Sequence, residues 1–172
     1  MNVAFIPVRG GSKSIPLKNI KPMCGKPLVY WTVAAACGCA KIDKVYVATD
    51  SEKIRETLLE VKQQEENEAF QKLEVIGRSA ESASDTASTE FAMLEFANEH
   101  AFDHIVLIQA TSPLLTAEDL DRGFALYEEE DTDSVLSVVR QKRFNWNVAE
   151  DGTAQALNYD YFHRPRRQEF DG

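Results

Sequence analysis

The sequence contains little cysteine and no long apolar run. Its three cysteines, Cys24, Cys37 and Cys39, are too few for a disulfide framework and favour a reducing compartment. The Cys-Gly-Cys at 37–39 ends an alanine-rich helical pattern with no histidine near it, so buried thiols explain it better than a metal site. No apolar stretch approaches the roughly 20 residues of a membrane span, and Arg9 interrupts the first apolar run too early for a signal peptide. We therefore expect a cytoplasmic protein.

The charge balance excludes a general nucleic-acid binder. The formal net charge is -9, whereas a protein that contacts many phosphates needs a basic face. Eight acids and one base between Glu118 and Asp133 are typical of a solvated helix face. Positive charge is concentrated in the first loop and between Arg140 and Arg167. Local positive charge on an acidic protein indicates a small anionic ligand.

Short apolar runs alternate with helical patterns along the chain. The runs are rich in β-branched residues, as buried parallel strands are, and the intervening segments repeat apolar residues at helical spacing. This alternation predicts right-handed βαβ crossovers and an α/β fold with a doubly wound, mainly parallel sheet. Thr116 is a candidate N-cap of the last helix. The predicted strands are 2–8, 44–50, 72–77, 104–109 and 133–139, and the predicted helices lie around 28–35, 54–61, 86–101 and 120–127.

The pattern changes near residue 140. Beyond it no helical period is visible, and aromatic residues such as Trp146 and Phe162 stand in polar surroundings, which favours packing against something outside the first domain. We therefore expect an α/β domain over 1–140 and an extended arm over 141–172.

The loop after the first predicted strand, "RGGSKSIPLKNI" at 9–20, gathers bases without an acid. Gly10 and Gly11 allow positive φ and a close approach of the backbone to a ligand, and successive N–H groups there can bind an anion beside Arg9 and Lys13. The loop is neither a Walker motif nor a G-x-G-x-x-G motif. By itself it predicts anion binding, with a basic surface loop after an edge strand as the alternative.

Five motifs in order resemble the N-acylneuraminate cytidylyltransferases, the enzymes that make CMP-activated nonulosonic acids. They are "RGGSKSIPLKNI" with "CGKPL", "VYVATDSEKI", "RSAESASDTAS", "LIQATSPLLTAEDLD" and "RPRRQEFDG". The chain differs from the family pattern at Ser14, where glycine is usual, and at Ser79 and Ala110, where proline is usual. The resemblance covers essentially the whole chain, and it implies a Rossmann-like nucleotide-diphospho-sugar transferase fold with a C-terminal dimerisation arm.

The resemblance implies a site for CTP at the first loop. Lys18 would neutralise charge at the α-phosphate and at the leaving pyrophosphate, and with Arg9 it would act in catalysis. The residues that the resemblance assigns to the phosphates are Arg9, Gly10, Gly11, Ser12, Lys13 and Lys18.

The resemblance also implies contacts to the cytidine. Asn19 would bind the base or its sugar through its amide. Arg78 and the turn formed by Ala87, Ser88 and Thr89 would read the cytosine, since an arginine donates to its O2 and N3 acceptors and backbone carbonyls accept from its amino group. From the residues alone, an ordinary surface ion pair is favoured for Arg78, with Asp85 as the candidate partner, and Ser88 or Thr89 could cap the third helix.

For the sugar acid the resemblance implies three residues. Gln109 would hydrogen-bond the sugar at the end of the fourth strand, although a strand-end glutamine can instead bond loop backbone. Arg167 and Gln168 would reach the partner's substrate across a homodimer, and an arginine suits a carboxylate. A solvated basic tail is the alternative for the cluster around Arg167.

The resemblance implies Mg²⁺ as the cofactor, but the acids that would hold it are not found. The family's late D-x-D pair has no counterpart before Gly172, so the metal ligands are unknown and are expected beyond that residue. We therefore expect a C-terminally truncated chain with little or no turnover by residues 1–172 alone.

Two other readings stay open. The first is another sugar nucleotidyltransferase, of the 3-deoxy-manno-octulosonate type or of the hexose-1-phosphate uridylyltransferase type, although their first-loop patterns differ from "RGGSKSIPLKNI". The second is a domain that binds nucleotide without turnover. In every reading we expect small-molecule substrates and neither a nucleic-acid nor a membrane partner.

Overall fold

The computed structural model describes residues 1–11, 15–129 and 132–170 and contains two compact units, Met1–Asp133 and Ser134–Gly172. The sequence predicted a division at residue 140. The interpretation of the second unit as a dimerisation arm stays a prediction. Among the described helices, none is both long and apolar enough to cross a bilayer.

Strands and helices alternate in the first unit as the apolar pattern predicts. The predicted N-cap of the last helix is confirmed, because the Thr116 hydroxyl accepts a hydrogen bond from the Asp119 N–H at 3.2 Å. The strands are β1 Asn2–Pro7, β2 Pro22–Met23, β3 Lys26–Pro27, β4 Lys44–Thr49, β5 Leu73–Gly77, β6 His104–Leu107, β7 Trp146–Val148 and β8 Ala154–Ala156. The α-helices are α1 Leu28–Gly38, α2 Glu52–Gln64, α3 Thr89–Glu99 and α4 Ala117–Tyr127, with 3-10 turns at Lys18–Ile20 and Glu68–Lys72.

The main sheet has four parallel strands in the order β5-β4-β1-β6. Phe5 on β1 lies opposite Tyr46 on β4 and Leu107 on β6. Strand β1 is therefore central, and the alternative of a basic surface loop after an edge strand is wrong in its strand position. Because the strands are parallel, the loops that leave β1, β4, β5 and β6 meet at one edge of the sheet.

Both faces of the sheet are covered, as in a doubly wound fold. Alternate residues of β1 point to opposite faces, so Ile6 belongs to a large core with α1, α2 and α4, whereas Phe5 faces α3. On the α3 side the Phe96 ring lies 4.8 Å from the ring of Phe5 and 4.9 Å from the ring of Tyr46. The predicted fold class is confirmed.

The predicted strand at 133–139 is wrong. These residues have no regular secondary structure, and Leu136 and Val138 are 82% and 83% exposed. A β-branched apolar run has the propensity for a strand, but it becomes one only where a neighbouring strand pairs with its backbone groups. No such ladder forms here, and β6 is an edge of the four-stranded sheet.

The second unit contains a short hairpin that the sequence did not predict. Strands β7 and β8 pair antiparallel around a turn in which Gly152 has a φ of +82°. The rings of Tyr159 and Phe170 lie 4.6 and 4.8 Å from that of Phe144, which forms a small aromatic cluster. Three-residue strands are too short to show a clear alternation, so the sequence signal was missing.

Candidate functional site

The loops that follow β1, β5 and β6 surround an open cavity of about 340 Å³ at the carboxyl ends of the parallel strands. This is the edge at which doubly wound sheets bind ligands. The cavity is lined by Pro7, Arg9, Lys18, Asn19, Arg78, Ser84, Asp85, Ala87, Thr89, Gln109, Ala110 and Thr111.

The fold brings seven of the fourteen sequence-assigned residues to this cavity. Gly10, Gly11 and Ser88 are described but do not line it, while Ser12 and Lys13 lie outside the described residues. The assigned residues that line the cavity are Arg9, Lys18, Asn19, Arg78, Ala87, Thr89 and Gln109.

Several lining residues had no assigned role. Asp85 and Ser84 belong to the motif "RSAESASDTAS" that leads into α3, and Thr111 belongs to "LIQATSPLLTAEDLD". Polar residues are common in loops, so only the fold shows that these three lie beside the cations.

Gly10 is needed for a different reason from the one predicted. Neither Gly10 nor Gly11 has a positive φ, so the expected left-handed backbone is wrong. An ideal Cβ on Gly10 would lie 2.8 Å from the Cβ of Ser51, which follows β4. The Gly10 N–H donates to Asp50 Oδ1 at 2.8 Å. This glycine therefore lets two loops pack together beneath the cavity.

Arg9 is held across the cavity by the loop that precedes α3. Its Nη1 donates to Asp85 Oδ1 at 2.7 Å and contacts the Ser84 carbonyl at 3.5 Å. The alternative that Asp85 pairs with Arg78 is wrong, because this carboxylate faces Arg9. Both side chains of the pair are partly exposed, so an anionic ligand can compete for the guanidinium.

Asn19 brings a buried amide to the cavity. It lies in the 3-10 turn after the first loop, is only 7% exposed, and donates from Nδ2 to the Arg9 carbonyl at 3.4 Å. Its Oδ1 is buried and has no hydrogen-bond partner among the described residues. An unpaired buried acceptor costs about 1–3 kcal/mol. A ligand donor at this position would remove that cost.

Arg78 follows β5 and is partly buried. Its Nε donates to the hydroxyl of Ser82 at 3.2 Å, and its Nη2 donates to the Ser82 carbonyl. Burial lowers the pKa of Arg78, while the charges of Asp50 and Glu95 oppose that shift. A guanidinium stays ionised in spite of such a shift, so Arg78 presents a positive charge to the cavity.

Two of the alternatives are decided by local contacts. Ser88 is the N-cap of α3, and its hydroxyl accepts from the Phe91 N–H at 3.0 Å. The side chain of Gln109 makes no hydrogen bond within the described ranges, and only its carbonyl bonds the loop, accepting from the Ser112 N–H at 3.0 Å. The capping role of Ser88 is therefore structural, while the amide of Gln109 is available in the cavity.

The second unit has a cavity of its own, with a volume of about 650 Å³. Arg164 stacks over the Phe144 ring at 4.5 Å, and Arg167 lines the cavity beside it. Gln168 does not line the cavity, but its carbonyl accepts from Lys142 Nζ at 3.4 Å. The remaining lining residues are Lys142, Arg143, Asn145, Trp146 and Tyr159.

The part of the chain that the structure describes contains no group of three or more His, Cys, Asp or Glu side chains placed to hold a metal ion. Asp50 and Asp85 contact the first loop, where they accept hydrogen bonds from the Gly10 N–H and the Arg9 side chain respectively. These residues do not by themselves form a magnesium site.

The fold resembles that of solved nucleotidyltransferases. CMP:2-keto-3-deoxy-manno-octonic acid synthetase complexed with CTP matches with a TM-score of 0.63 at 20% identity, over 75% of this chain and 48% of that one. The 4-diphosphocytidyl-2C-methyl-D-erythritol synthase of Anaerococcus prevotii matches with a TM-score of 0.65 at 11% identity, over 98% of this chain and 65% of that one. At these identities the likeness shows a shared fold.

Sequence comparison gives the family. N-acylneuraminate cytidylyltransferase A of Danio rerio is 38% identical over 173 residues, which cover 98% of this chain and 38% of the relative. The N-acylneuraminate cytidylyltransferase of Streptococcus agalactiae serotype III is 32% identical over 138 residues, 78% of this chain and 31% of the relative. The chain thus spans well under half the length of these curated relatives. The family model described as cytidylyltransferase matches residues 3–164, and the chain belongs to the cytidylyltransferase family.

Proposed function

We propose that the protein transfers a cytidylyl group from CTP to a nonulosonic, sialic-type acid and releases pyrophosphate. The observation that carries the proposal is the strand-end cavity, which combines three cations, Arg9, Lys18 and Arg78, with a buried amide. Triphosphate and base need this mixture of charge and directional hydrogen bonding. The curated relatives are named for this reaction.

The phosphates would bind at the first-loop side of the cavity. Lys18 has no salt bridge within the described ranges, so its amine is available to an anion. Arg9 would exchange Asp85 for a phosphate. Gly10 would contribute by its close packing, since its N–H already bonds Asp50. Together with these residues, we assign Gly11, Ser12 and Lys13 to the phosphates.

The cytidine would bind between Asn19 and the loop after β5. Asn19 Oδ1 would accept from a donor of the base or the ribose, which satisfies its buried oxygen. Arg78 would donate to the O2 and N3 acceptors of cytosine. The turn over Ala87–Thr89 includes Ser88 as the helix cap and would place backbone carbonyls near the amino group.

We assign Gln109 of the first unit to the sugar acid. We assign Arg167 and Gln168 of the second unit to the sugar acid that the partner of the proposed homodimer binds. Support comes from the uncompensated charge of the second unit, where the arginines form no salt bridge among the described residues. Its acids Asp151 and Asp160 instead accept bonds within their own turns. A free arginine binds a carboxylate well.

We further propose a cytoplasmic homodimer that associates through the second unit. Its aromatic side chains are unusually exposed, with Trp146 48%, Tyr161 54% and Phe162 76% accessible. Exposed aromatics of this kind are typical of interfaces. The three cysteines are free, which suits a reducing compartment.

In the proposed reaction the anomeric hydroxyl oxygen of the sugar acid attacks the α-phosphorus of CTP, the hydroxyl proton is lost, and the bond to pyrophosphate breaks. The chain contributes positioning and charge neutralisation, with Lys18 and Arg9 stabilising the negative charge on the phosphate oxygens. A bound Mg²⁺ would supply further neutralisation of the phosphate charge. The described residues contain no group of three or more His, Cys, Asp or Glu side chains that could hold it.

Calorimetric titration with CTP, UTP and GTP tests the proposal. We expect CTP to bind most tightly, and Lys18→Ala to weaken it by at least about tenfold, since a lost charged contact is worth roughly 1.5–3 kcal/mol. Lys21→Ala is the matched control, because Lys21 is exposed and does not line the cavity. Preference for UTP would refute the cytidine assignment, and equal effects of the two lysine variants would refute the phosphate assignment.

A further inference from the structure

We propose that Ser82 and Glu95 are positioning residues that hold Arg78 in the nucleotide cavity and thereby set the preference for cytosine over uracil. The proposal rests on the proposed function and adds two residues that do not line the cavity. Contacts, burial and charge each support it.

Ser82 accepts two hydrogen bonds from one edge of the Arg78 guanidinium. The Nε of Arg78 donates to the Ser82 hydroxyl at 3.2 Å, and its Nη2 donates to the Ser82 carbonyl. Two bonds from one edge to a single residue fix both the position and the plane of the guanidinium. Ser82 is itself completely buried, so the anchor does not move freely.

Glu95 sets the direction of the serine hydroxyl. The Ser82 hydroxyl donates to Glu95 Oε2 at 2.6 Å, which is shorter than its 3.3 Å contact with the Ser79 carbonyl. A serine hydroxyl has one proton and two lone pairs. With its proton directed to Glu95, its oxygen can accept from Arg78. The order is therefore guanidinium to hydroxyl to carboxylate.

Arg78, Ser82 and Glu95 form a chain of hydrogen bonds, which we call the relay. The Glu95 carboxylate at its end is ionised. Burial acts against ionisation, but hydrogen bonds from Ser79 and Ser82 and the charge of Arg78 lower the pKa of Glu95. An ionised carboxylate only accepts hydrogen bonds, so it must take the proton of the Ser82 hydroxyl. Its charge also offsets part of the burial of Arg78.

The opposite edge of Arg78 stays available to a ligand. Its Nη1 donates to none of the described residues, and Arg78 lines the cavity. Cytosine presents O2 and an unprotonated N3, both acceptors, whereas uracil carries a proton on N3. A guanidinium held in one plane meets the N3–H of uracil as an unfavourable donor–donor contact, whereas a mobile guanidinium can rotate to avoid that contact. The relay therefore sets the preference for cytosine over uracil.

The test uses Glu95→Ala and Ser82→Ala with CTP, UTP and inorganic tripolyphosphate as titrants. We expect both variants to bind CTP about tenfold more weakly and to lose much of the CTP-to-UTP preference, as for the loss of a charged hydrogen bond. Tripolyphosphate carries no base for Arg78 to read, so its affinity should be unchanged in Ser82→Ala and unchanged or higher in Glu95→Ala, where an acid is removed. The removal of a negative charge in Glu95→Ala would by itself strengthen the binding of an anion. Weaker CTP binding by this variant therefore cannot be explained by the change in charge alone.

Two control variants sharpen the experiment. Glu95→Gln keeps an acceptor oxygen for the Ser82 hydroxyl and should retain more of the CTP preference than Glu95→Ala. Glu99→Ala removes an exposed acid from the same helix and should change nothing. In an Arg78→Lys background, Glu95→Ala should have little additional effect on the CTP-to-UTP ratio, because the relay has lost its guanidinium.

The outcomes separate this proposal from the function on which it rests. If the unmodified protein does not prefer CTP, the proposed function fails. If it prefers CTP and folded Glu95→Ala keeps that preference, the relay is refuted. Equal weakening of CTP and tripolyphosphate would also refute it, because that result describes general damage to the cavity. Since Glu95 is at the surface end of the relay, its variant remains informative even if Ser82→Ala does not fold.

Discussion

The substitution Gly10→Ala is expected to destabilise the protein by crowding two loops. An ideal Cβ at this position lies 2.8 Å from Ser51 Cβ and 3.3 Å from Ser51 Oγ. The Cβ of Ser51 is attached directly to the backbone at the start of α2, so no side-chain rotation moves it away. The first loop must shift instead, and the shift lengthens the 2.8 Å bond from the Gly10 N–H to Asp50.

The magnitude follows from these contacts. Overpacking of this kind costs about 1–3 kcal/mol, and the weakened hydrogen bond adds roughly 1 kcal/mol. Replacement of glycine by alanine lowers the conformational entropy of the unfolded chain, which stabilises the folded protein by about 0.4–1 kcal/mol. We therefore expect the free energy of unfolding to fall by about 1–3 kcal/mol and CTP affinity to fall with it, because Arg9 adjoins the displaced residue.

Urea denaturation measures the stability change, and titration with CTP measures the effect on the loop. Gly11→Ala is the matched control, since no atom of the described residues lies within 4 Å of a Cβ there and its φ is not positive. It should be neutral or slightly stabilising. The double variant Gly10→Ala/Ser51→Gly removes the contacting Cβ and should recover most of the lost stability.

Two results would show that the reasoning is wrong. If Gly10→Ala and Gly11→Ala change the free energy of unfolding equally, the close approach to Ser51 is unimportant. If Ser51→Gly fails to rescue Gly10→Ala, the cost arises elsewhere in the loop. Ser51 makes no side-chain capping bond to α2, so its replacement by glycine has little cost of its own.

Three further predictions concern the rest of the first unit. Leu58→Ala should lower the free energy of unfolding by about 2–5 kcal/mol in denaturant titration, because Leu58 is completely buried. Thr116→Ala should lower it by about 1 kcal/mol in the same assay through loss of the α4 cap. In thiol titration the exposed Cys24 should react rapidly, whereas Cys37 and Cys39 should react only on unfolding, since both are buried and burial raises the pKa of Cys37 to about 12. Rapid reaction of all three thiols in the folded protein would contradict the last prediction.

Much of the fold was determined by local patterns in the sequence. Hydrophobic spacing identified the four main strands and the four α-helices, and the N-cap of α4, Thr116, was visible in the sequence. Hydrophobic period and capping chemistry act over a few residues, so they can be recognised without tertiary contacts. The motif order likewise indicated the cytidylyltransferase family that the comparison shows.

Only the tertiary structure decided which distant groups pair. It placed Asp85 on Arg9, buried Ser82 between Arg78 and Glu95, and left the apolar run at 133–139 without a strand partner. Each outcome depends on a partner that is remote in sequence or on its absence, and hydrogen-bond selection at such range is set by packing. The sequence by itself determined that cations follow the first strand, because composition is local. Which of them face the cavity, and which acids and hydroxyls hold them there, became definite only when the parallel strands brought their loops to one edge.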